Sequence, residues 1–312
     1  MGGGTRVGQW KERFFEGEIE YEGAELQCRK DENKICCVIA SFGEYEVRGT
    51  EEGYKLLKGE EVIGVFKESI IEDGRILFEL SHRVSLEVSE GGIREILAPE
   101  KAELCGLIAS DGGLYMNENY YHYRVYLSSA DEEVSKHYED LFENIYCKKP
   151  HRYRHETPLT SYYSEEIEDK SIYFDLWSLG IKGSAPYEFH VPKEHLDLKG
   201  ARAYLRGFFT GDGSVAMKYD RIQNRTRFTI RFDSKYRDGL EELRVLLEDL
   251  GFHPLEIHEH HREDRTYYYF VIPVEEHLKF IGEIGSEKPA HQEKFEIMKK
   301  MYEEKVKRGE ED

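Results

Sequence analysis

The chain has 312 residues, 39% of them hydrophobic and 13% aromatic, enough apolar material for the cores of two ordinary domains. Its net charge of −19 excludes indiscriminate attraction to nucleic acid, unless the basic residues gather on one face. No apolar run approaches the ~20 residues that cross a bilayer, and the opening MGGGTRVGQW lacks the apolar centre of a signal peptide, so the sequence reads as cytosolic with no membrane partner.

Residues 1–97 read as β-rich. Short apolar or alternating runs occur at KICCVIAS, EVIGVF, RILFEL and RVSLEV, separated by the turn signals SFGE, KGEE, EDGR and SEGG. The pattern predicts a small all-β domain, a barrel or sandwich, with Gly91 and Gly92 marking a boundary. With 13 basic residues against 21 acidic ones, this stretch suits a protein partner better than a polyanion.

Residues 98–312 have a different texture, with long helical patterns between strands, and they contain an internal repeat. APEKAELCGLIASDGGL (98–114) matches KGARAYLRGFFTGDGSV (199–215), with Gly106 on Gly207 and Asp111 on Asp212. An alternating strand follows each copy, YYHYRVYL (120–127) and RTRFTIRF (225–232). An amphipathic helix comes next. In the first half Val134, Tyr138, Leu141, Phe142 and Ile145 share a face, and Ser129 with Glu132 reads as a capping box. In the second half Leu240, Leu243, Leu247 and Leu250 do the same, and Gly251 stands where the helix should stop. Further strands are expected at SIYF and TYYYFVIP, and a charged helix from about Pro289.

The small residues of the two motif helices explain the repeat. Ala102, Gly106 and Ser110 recur every fourth position, as do Ala203, Gly207 and Gly211. Residues four apart share a helix face, so each helix carries a nearly bare stripe and the two backbones can approach closely. Packing about a pseudo-twofold axis then brings both helix C-termini, with Asp111 and Asp212, to one place. Gly112 and Gly213 are expected in the left-handed conformation, turning the chain away into a strand. Two carboxylates beside two helix C-termini concentrate negative charge. A hard divalent cation such as Mg²⁺ relieves it, keeps several waters and accepts phosphate oxygens, which suits metal-assisted phosphodiester hydrolysis.

With LCGLIASDG (104–112) and LRGFFTGDG (205–213), the chain resembles the LAGLIDADG homing endonucleases in their single-chain, two-motif form, over residues 98–312. The resemblance implies an α+β fold of two pseudo-symmetric αββαββα halves, 98–197 and 198–312, whose strands form a saddle over double-stranded DNA. It implies a monomer in which Asp111 and Asp212 bind divalent cations and activate the attacking water. It also implies a basic residue from each half near the scissile phosphates, for which Lys182 and Lys288 are the candidates. The acid that often stands two positions before the catalytic one is replaced by Ala109 and Thr210.

A saddle needs strands with one apolar and one polar face. Arg225, Arg227, Thr229 and Arg231 alternate with Thr226, Phe228, Ile230 and Phe232, and His122, Arg124 and Tyr126 with Tyr123, Val125 and Leu127. Basic residues crowd residues 217–231, including Lys218, and KKPHRYRH (148–155) adds more. The acids lie mostly in helices, on the outer surface. HPLEIHEHHRED (253–264) reads as a polar hairpin loop, since His258, His260 and His261 lack a ligand spacing. The five cysteines form no C-x-x-C pair, which leaves reduced, buried thiols. Abundant Glu and Lys with little Gln is typical of proteins from hot environments. The expected function is a site-specific, Mg²⁺-dependent double-strand endonuclease; the alternative is a catalytically silent DNA- or RNA-binding protein of the same fold, regulator- or maturase-like.

Overall fold

The computed structural model describes residues 27–31, 34–42, 44–50, 53–67, 69–72, 75–80, 82–89, 92–157, 160–181, 188–221, 225–262 and 265–308. The chain divides into two compact units, Met1–Ala98 and Pro99–Asp312. No described helix is long and apolar enough to cross a membrane.

The described residues of the first unit are all in β-strands and the turns between them. Strands β1 (Gln27–Asp31), β2 (Lys34–Phe42), β3 (Tyr45–Thr50), β4 (Gly53–Lys58) and β5 (Glu61–Phe66) form one antiparallel meander. Strands β6 (Ile70–Glu72), β7 (Arg75–Glu79), β8 (Val84–Ser89) and β9 (Gly92–Leu97) form a second. Val47, Tyr54 and Leu56 of the first sheet and Ile76, Phe78 and Val88 of the second share one core, with the Phe66 and Phe78 rings stacked at 4.2 Å. On the opposite face of the second sheet Glu87 is buried, with Arg75 and Arg94 both donating to it. Gly92 pairs with Ser89, so it belongs to the β8–β9 hairpin and not to a linker.

The second unit repeats one αββαββα order twice. The first half comprises α1 (Pro99–Asp111), β10 (Gly112–Asn117), β11 (His122–Ser129), α2 (Glu132–Tyr146), β12 (His151–Glu156), β13 (Ser161–Glu168) and α3 (Lys170–Ser178). The second comprises α4 (Leu198–Asp212), β14 (Gly213–Asp220), β15 (Arg225–Ser234), α5 (Arg237–Asp249), β16 (His258–Arg262), β17 (Arg265–Ile272) and α6 (His277–Glu283), followed by α7 (Pro289–Arg308). The sheets have matching orders, β10-β11-β13-β12 and β14-β15-β17-β16. Val125, Leu127, Ile230 and Phe232 are buried on the helix side.

Several local expectations give way to the structure. The N-cap of α2 is Asp131, whose carboxylate accepts the Glu133 N–H at 3.0 Å; Ser129 accepts the Asp131 N–H one step earlier, so no Ser129–Glu132 capping box forms. SIYF is helical within α3, because the Asp169 carboxylate accepts the N–H groups of Ser171 and Ile172, and Ile172, Tyr173 and Leu176 then bury one face. The strand of that region is β13, ten residues earlier in the run that ends at Glu168. HPLEIHEHHRED is not simply a loop: His258–Arg262 form edge strand β16, paired with β17. Cys105 is buried, while Cys147 is exposed at the end of α2.

Helices α1 and α4 make the most extensive contact between described elements. A Cβ on Gly106 would lie 2.1 Å from the Tyr204 carbonyl oxygen and 2.8 Å from the Phe208 nitrogen. A Cβ on Gly207 would lie 2.1 Å from the Glu103 carbonyl oxygen and 3.0 Å from the Leu107 nitrogen. Each contact is the twofold image of the other. Ala102 and Ala203 are fully buried beside them, and Gly211 faces Ser110 and Asp111. Gly112 and Gly213 are not left-handed; Gly213 is extended, at φ −77° and ψ 155°. Space makes them glycine, since a Cβ would meet the Tyr126 and Phe209 carbonyl oxygens at 2.5 and 2.2 Å.

Gly207→Ala is expected to cost about 3 kcal/mol or more, because the obstruction is backbone and the helices must separate. Gly282→Ala, where nothing lies within 4 Å of the added methyl, is expected to be neutral or stabilising by up to about 1 kcal/mol. Urea unfolding of the two variants checks both values.

Candidate functional site

The crossing of α1 and α4 carries their last residues, Asp111 and Asp212, to a common foot. The Asp111 carboxyl carbon lies 3.2 Å from the point where a Cβ on Gly211 would stand, so the two helix ends touch at the residue before Asp212. Burial raises the Asp111 pKa to about 6, with Lys288 pulling the other way. Burial raises Asp212 well above the usual carboxylate range, and Asp111 and Asp233 add to it; Lys235 and Lys288 oppose the rise. Both helix C-termini add negative potential of their own. The site is therefore two crowded carboxylates with two lysines close enough to act on them.

Lys288 belongs to the segment before α7 and lies where its charge reaches both aspartates. Lys182 lies outside the described residues. Asp233 and Lys235 were missed by sequence reasoning. The signal was present in part: Asp233 continues the odd-numbered polar series of β15, Arg227, Thr229 and Arg231, and Lys235 follows it just past the end of the strand. Asp233 is itself held up by burial and eased by Arg231, Ser214 and His260.

The donor chemistry suits a hard divalent cation. Asp111 and Asp212 offer oxygens only, and their mutual repulsion is the energy that a cation would relieve. No described cluster of three or more His, Cys, Asp or Glu residues could hold a metal alone. A cation here would complete its shell with water and substrate oxygens, the habit of Mg²⁺ rather than of zinc.

The polar sheet faces differ between the halves. On the first sheet His122, Arg124 and Tyr126 share a face, and the register sets Glu168 opposite Arg124 and Glu166 opposite Tyr126. Arg124 bonds Glu166 at 3.0 Å and Glu168 at 3.2 Å, and His122 approaches Glu168 at 3.3 Å. The KKPHRYRH stretch does not enrich this face. Arg152 and Arg154 pair in register with Glu165 and Tyr163 on the helix side, where Arg152 bonds Glu165 and Glu139. Lys149 bonds Glu139 and Lys148 bonds Asp169. Strand β12 turns His151, Tyr153 and His155 to the polar face instead.

The second sheet carries more positive charge. Lys218 stands opposite Arg227, Ala216 opposite Thr229, Ser214 opposite Arg231 and Asp220 opposite Arg225. Arg227 bonds Asp220 at 2.9 Å, and Arg231 bonds Asp233 at 2.8 Å while its guanidinium lies 4.8 Å from the Tyr269 ring centre. His258 and His260 share this side by register with Tyr269 and Tyr267.

Residues 199–285 match the family model of the LAGLIDADG-like domain. Among solved structures, mesophilic variants of the homing endonuclease I-DmoI align at 21% identity over 60% of this chain and 90% of theirs, with a TM-score of 0.45. I-DmoI in complex with DNA and Mn aligns at 21% identity over 60% of this chain and 96% of that one, TM-score 0.45. Full-length DUF199/WhiA from Thermatoga maritima aligns at 17% identity over 67% of this chain and 61% of that one, TM-score 0.44. A comparison with curated proteins finds no match.

The raised carboxyls fix the sign of a pH effect in cation-free protein. Asp111 and Asp212 hold protons in the folded state that the unfolded chain releases near pH 4, so stability falls as pH rises from there through the folded pKa of Asp111, about 6, and through that of Asp212, which also lies well above the usual carboxylate range. Asp212→Asn is expected to raise cation-free stability by about 1–2 kcal/mol at pH 7.5 and to change it little at pH 4. Chemical unfolding in chelator at the two pH values tests this.

Proposed function

We propose that the chain is a site-specific double-stranded DNA endonuclease of homing type, hydrolysing phosphodiesters with the help of a divalent cation, Mg²⁺ or a similar ion. The supporting observation is the crowding of Asp111 and Asp212 at the foot of the glycine-lined helix pair, with Lys288 and Lys235 in electrostatic reach. Burial and mutual repulsion make both carboxylates costly to ionise, a cost that a bound cation would offset.

In this reading Asp111 and Asp212 hold the cation, which when bound polarises water and neutralises charge on the attacked phosphate. Lys288 and Lys235 face the developing negative charge, and Lys182 is the proposed counterpart from the first half. The polar faces of the two sheets cradle the duplex: Lys218, Arg225, Arg227, Thr229 and Arg231 from the second half, and His122, Arg124 and Tyr126 from the first. The pseudo-twofold relation of the halves lets a monomer address both strands. Residues 1–97, acidic in sum, are proposed to meet a protein rather than DNA.

The ion pairs favour one second reading. Arg124, Arg227 and Arg231 already have carboxylate partners, so phosphates must displace Glu166, Glu168, Asp220 and Asp233 to reach them. That weakens the hold on DNA and suits a silent DNA- or RNA-binding relative of the same fold. The intact Asp pair favours the enzyme.

Incubation of the protein with a randomised duplex library and Mg²⁺, beside Asp212→Asn, separates the readings. Cuts by the unmodified protein alone are expected, with a rate loss of at least about a hundredfold in the variant. Bound sequences enriched without cuts by either protein would establish the silent binder.

A further inference from the structure

Thr210 stands two residues before Asp212, in the position where the resemblance leads one to expect an acid, and it is buried at 1% exposure. Its hydroxyl accepts the Glu287 N–H at 3.0 Å and lies 3.4 Å from the Ser286 hydroxyl. Ser286, also buried, accepts the Lys288 N–H at 3.2 Å and sits 2.9 Å from Nδ1 of His291. The Lys288 carbonyl accepts the N–H groups of His291 and Gln292 at 2.9 and 3.1 Å. The Gln292 side-chain amide donates to the Ser286 carbonyl at 3.1 Å. The backbone of Lys288 is thereby held at its N–H and its C=O. The loop carrying it is tied to the last turn of the helix that ends in Asp212.

The chemistry of this chain of contacts is self-consistent. His291 is buried against the Phe209 ring at 5.2 Å, and burial with the nearby Lys288 and Lys294 pushes its pKa down to about 4. At neutral pH its ring is uncharged, so Nδ1 can accept the Ser286 hydroxyl proton, while Thr210 donates toward Ser286 and accepts from Glu287. A carboxylate at position 210 could accept the same N–H. It would also place a third negative group on the final turn that carries Asp212. A hydroxyl holds the loop without that charge. In the first half the matching position is Ala109, whose methyl cannot accept an N–H, so that side chain cannot make the same tie.

We propose that Thr210, acting with Ser286 and His291, is a positioning residue that fixes Lys288 over the Asp111–Asp212 pair, and that this device belongs to the second half alone. Its geometry stands by itself, but its consequence for catalysis rests on the endonuclease reading.

The test compares Thr210→Val, of the same shape but lacking the acceptor, with Thr210→Ser, which keeps it, and with Lys288→Ala. Hydrogen exchange of the Glu287 amide is measured in the full-length protein without DNA. It is expected to quicken by at least about tenfold in the valine variant and to stay within about threefold in the serine variant. On a cleavable duplex, Thr210→Val is expected to lower kcat at least about tenfold with KM nearly unchanged. Adding Lys288→Ala to it should cost little more than Lys288→Ala alone, and the serine variant should recover most of the rate. A merely structural hydroxyl would instead give losses that add. Additive losses, an undiminished kcat in the valine variant, or unchanged Glu287 exchange would each overturn the proposal. If the unmodified protein cuts no DNA, the endonuclease reading fails by itself, and the exchange measurement still decides whether the tie exists.

Discussion

Two helices reach backbone-to-backbone contact only where neither carries a side chain at the crossing, and everything at the site depends on that contact between Gly106 and Gly207. Each glycine faces the other helix's carbonyl oxygen at a distance that no Cβ could share. The restriction fixes separation and register together, because sliding one helix would bring Leu or Phe side chains into the gap. Fixed register is what delivers Asp111 and Asp212 to the same foot. The core supplies the force that holds them there: Leu104, Leu107, Leu205 and Phe208 are fully buried along the same helices.

The site stores electrostatic stress instead of relieving it internally. Elsewhere this acidic chain pairs its carboxylates readily: Glu103 takes Arg206 and His137, Glu87 takes two arginines, and Lys101 is fully buried against Asp175. Against that habit, the carboxyls of Asp111 and Asp212 are pushed up by burial, and lysines oppose the rise without cancelling it. Such an arrangement is costly to the folded state at neutral pH, and an arriving cation would relieve it. The halves are unequal around it, since Asp233, Lys235 and the Thr210 tie all come from the second half. The first half contributes Ser128, Ala130 and Ala109 at the matching places.

The helix pair was legible in the sequence because close packing demands glycine, and demands it twice at four-residue spacing. The strand parity of β11 and β15 was legible for the same kind of reason, a period of two against a buried face. What the sequence could not convey was pairing between strands. Glu166 and Glu168 neutralise Arg124 only because β13 lies beside β11 in one register. The arginines of β12 leave the polar face only because Arg152 falls opposite Glu165. SIYF misled because four residues cannot separate a strand from a helix turn, and the deciding group was the Asp169 carboxylate just ahead. Gly112 and Gly213 were rightly marked as special, yet a nearby carbonyl makes them glycine, Tyr126 of the paired strand for one and Phe209 of the preceding helix for the other, and not a left-handed backbone.

The most direct measurement is the binding of Mn²⁺, followed by electron paramagnetic resonance, to the unmodified protein and to Asp111→Asn and Asp212→Asn separately. If the glycine-lined crossing builds one shared cation centre, the unmodified protein removes Mn²⁺ from solution at neutral pH and either substitution alone abolishes that binding. Retention of Mn²⁺ by both single variants would mean that the two aspartates do not act on a common ion.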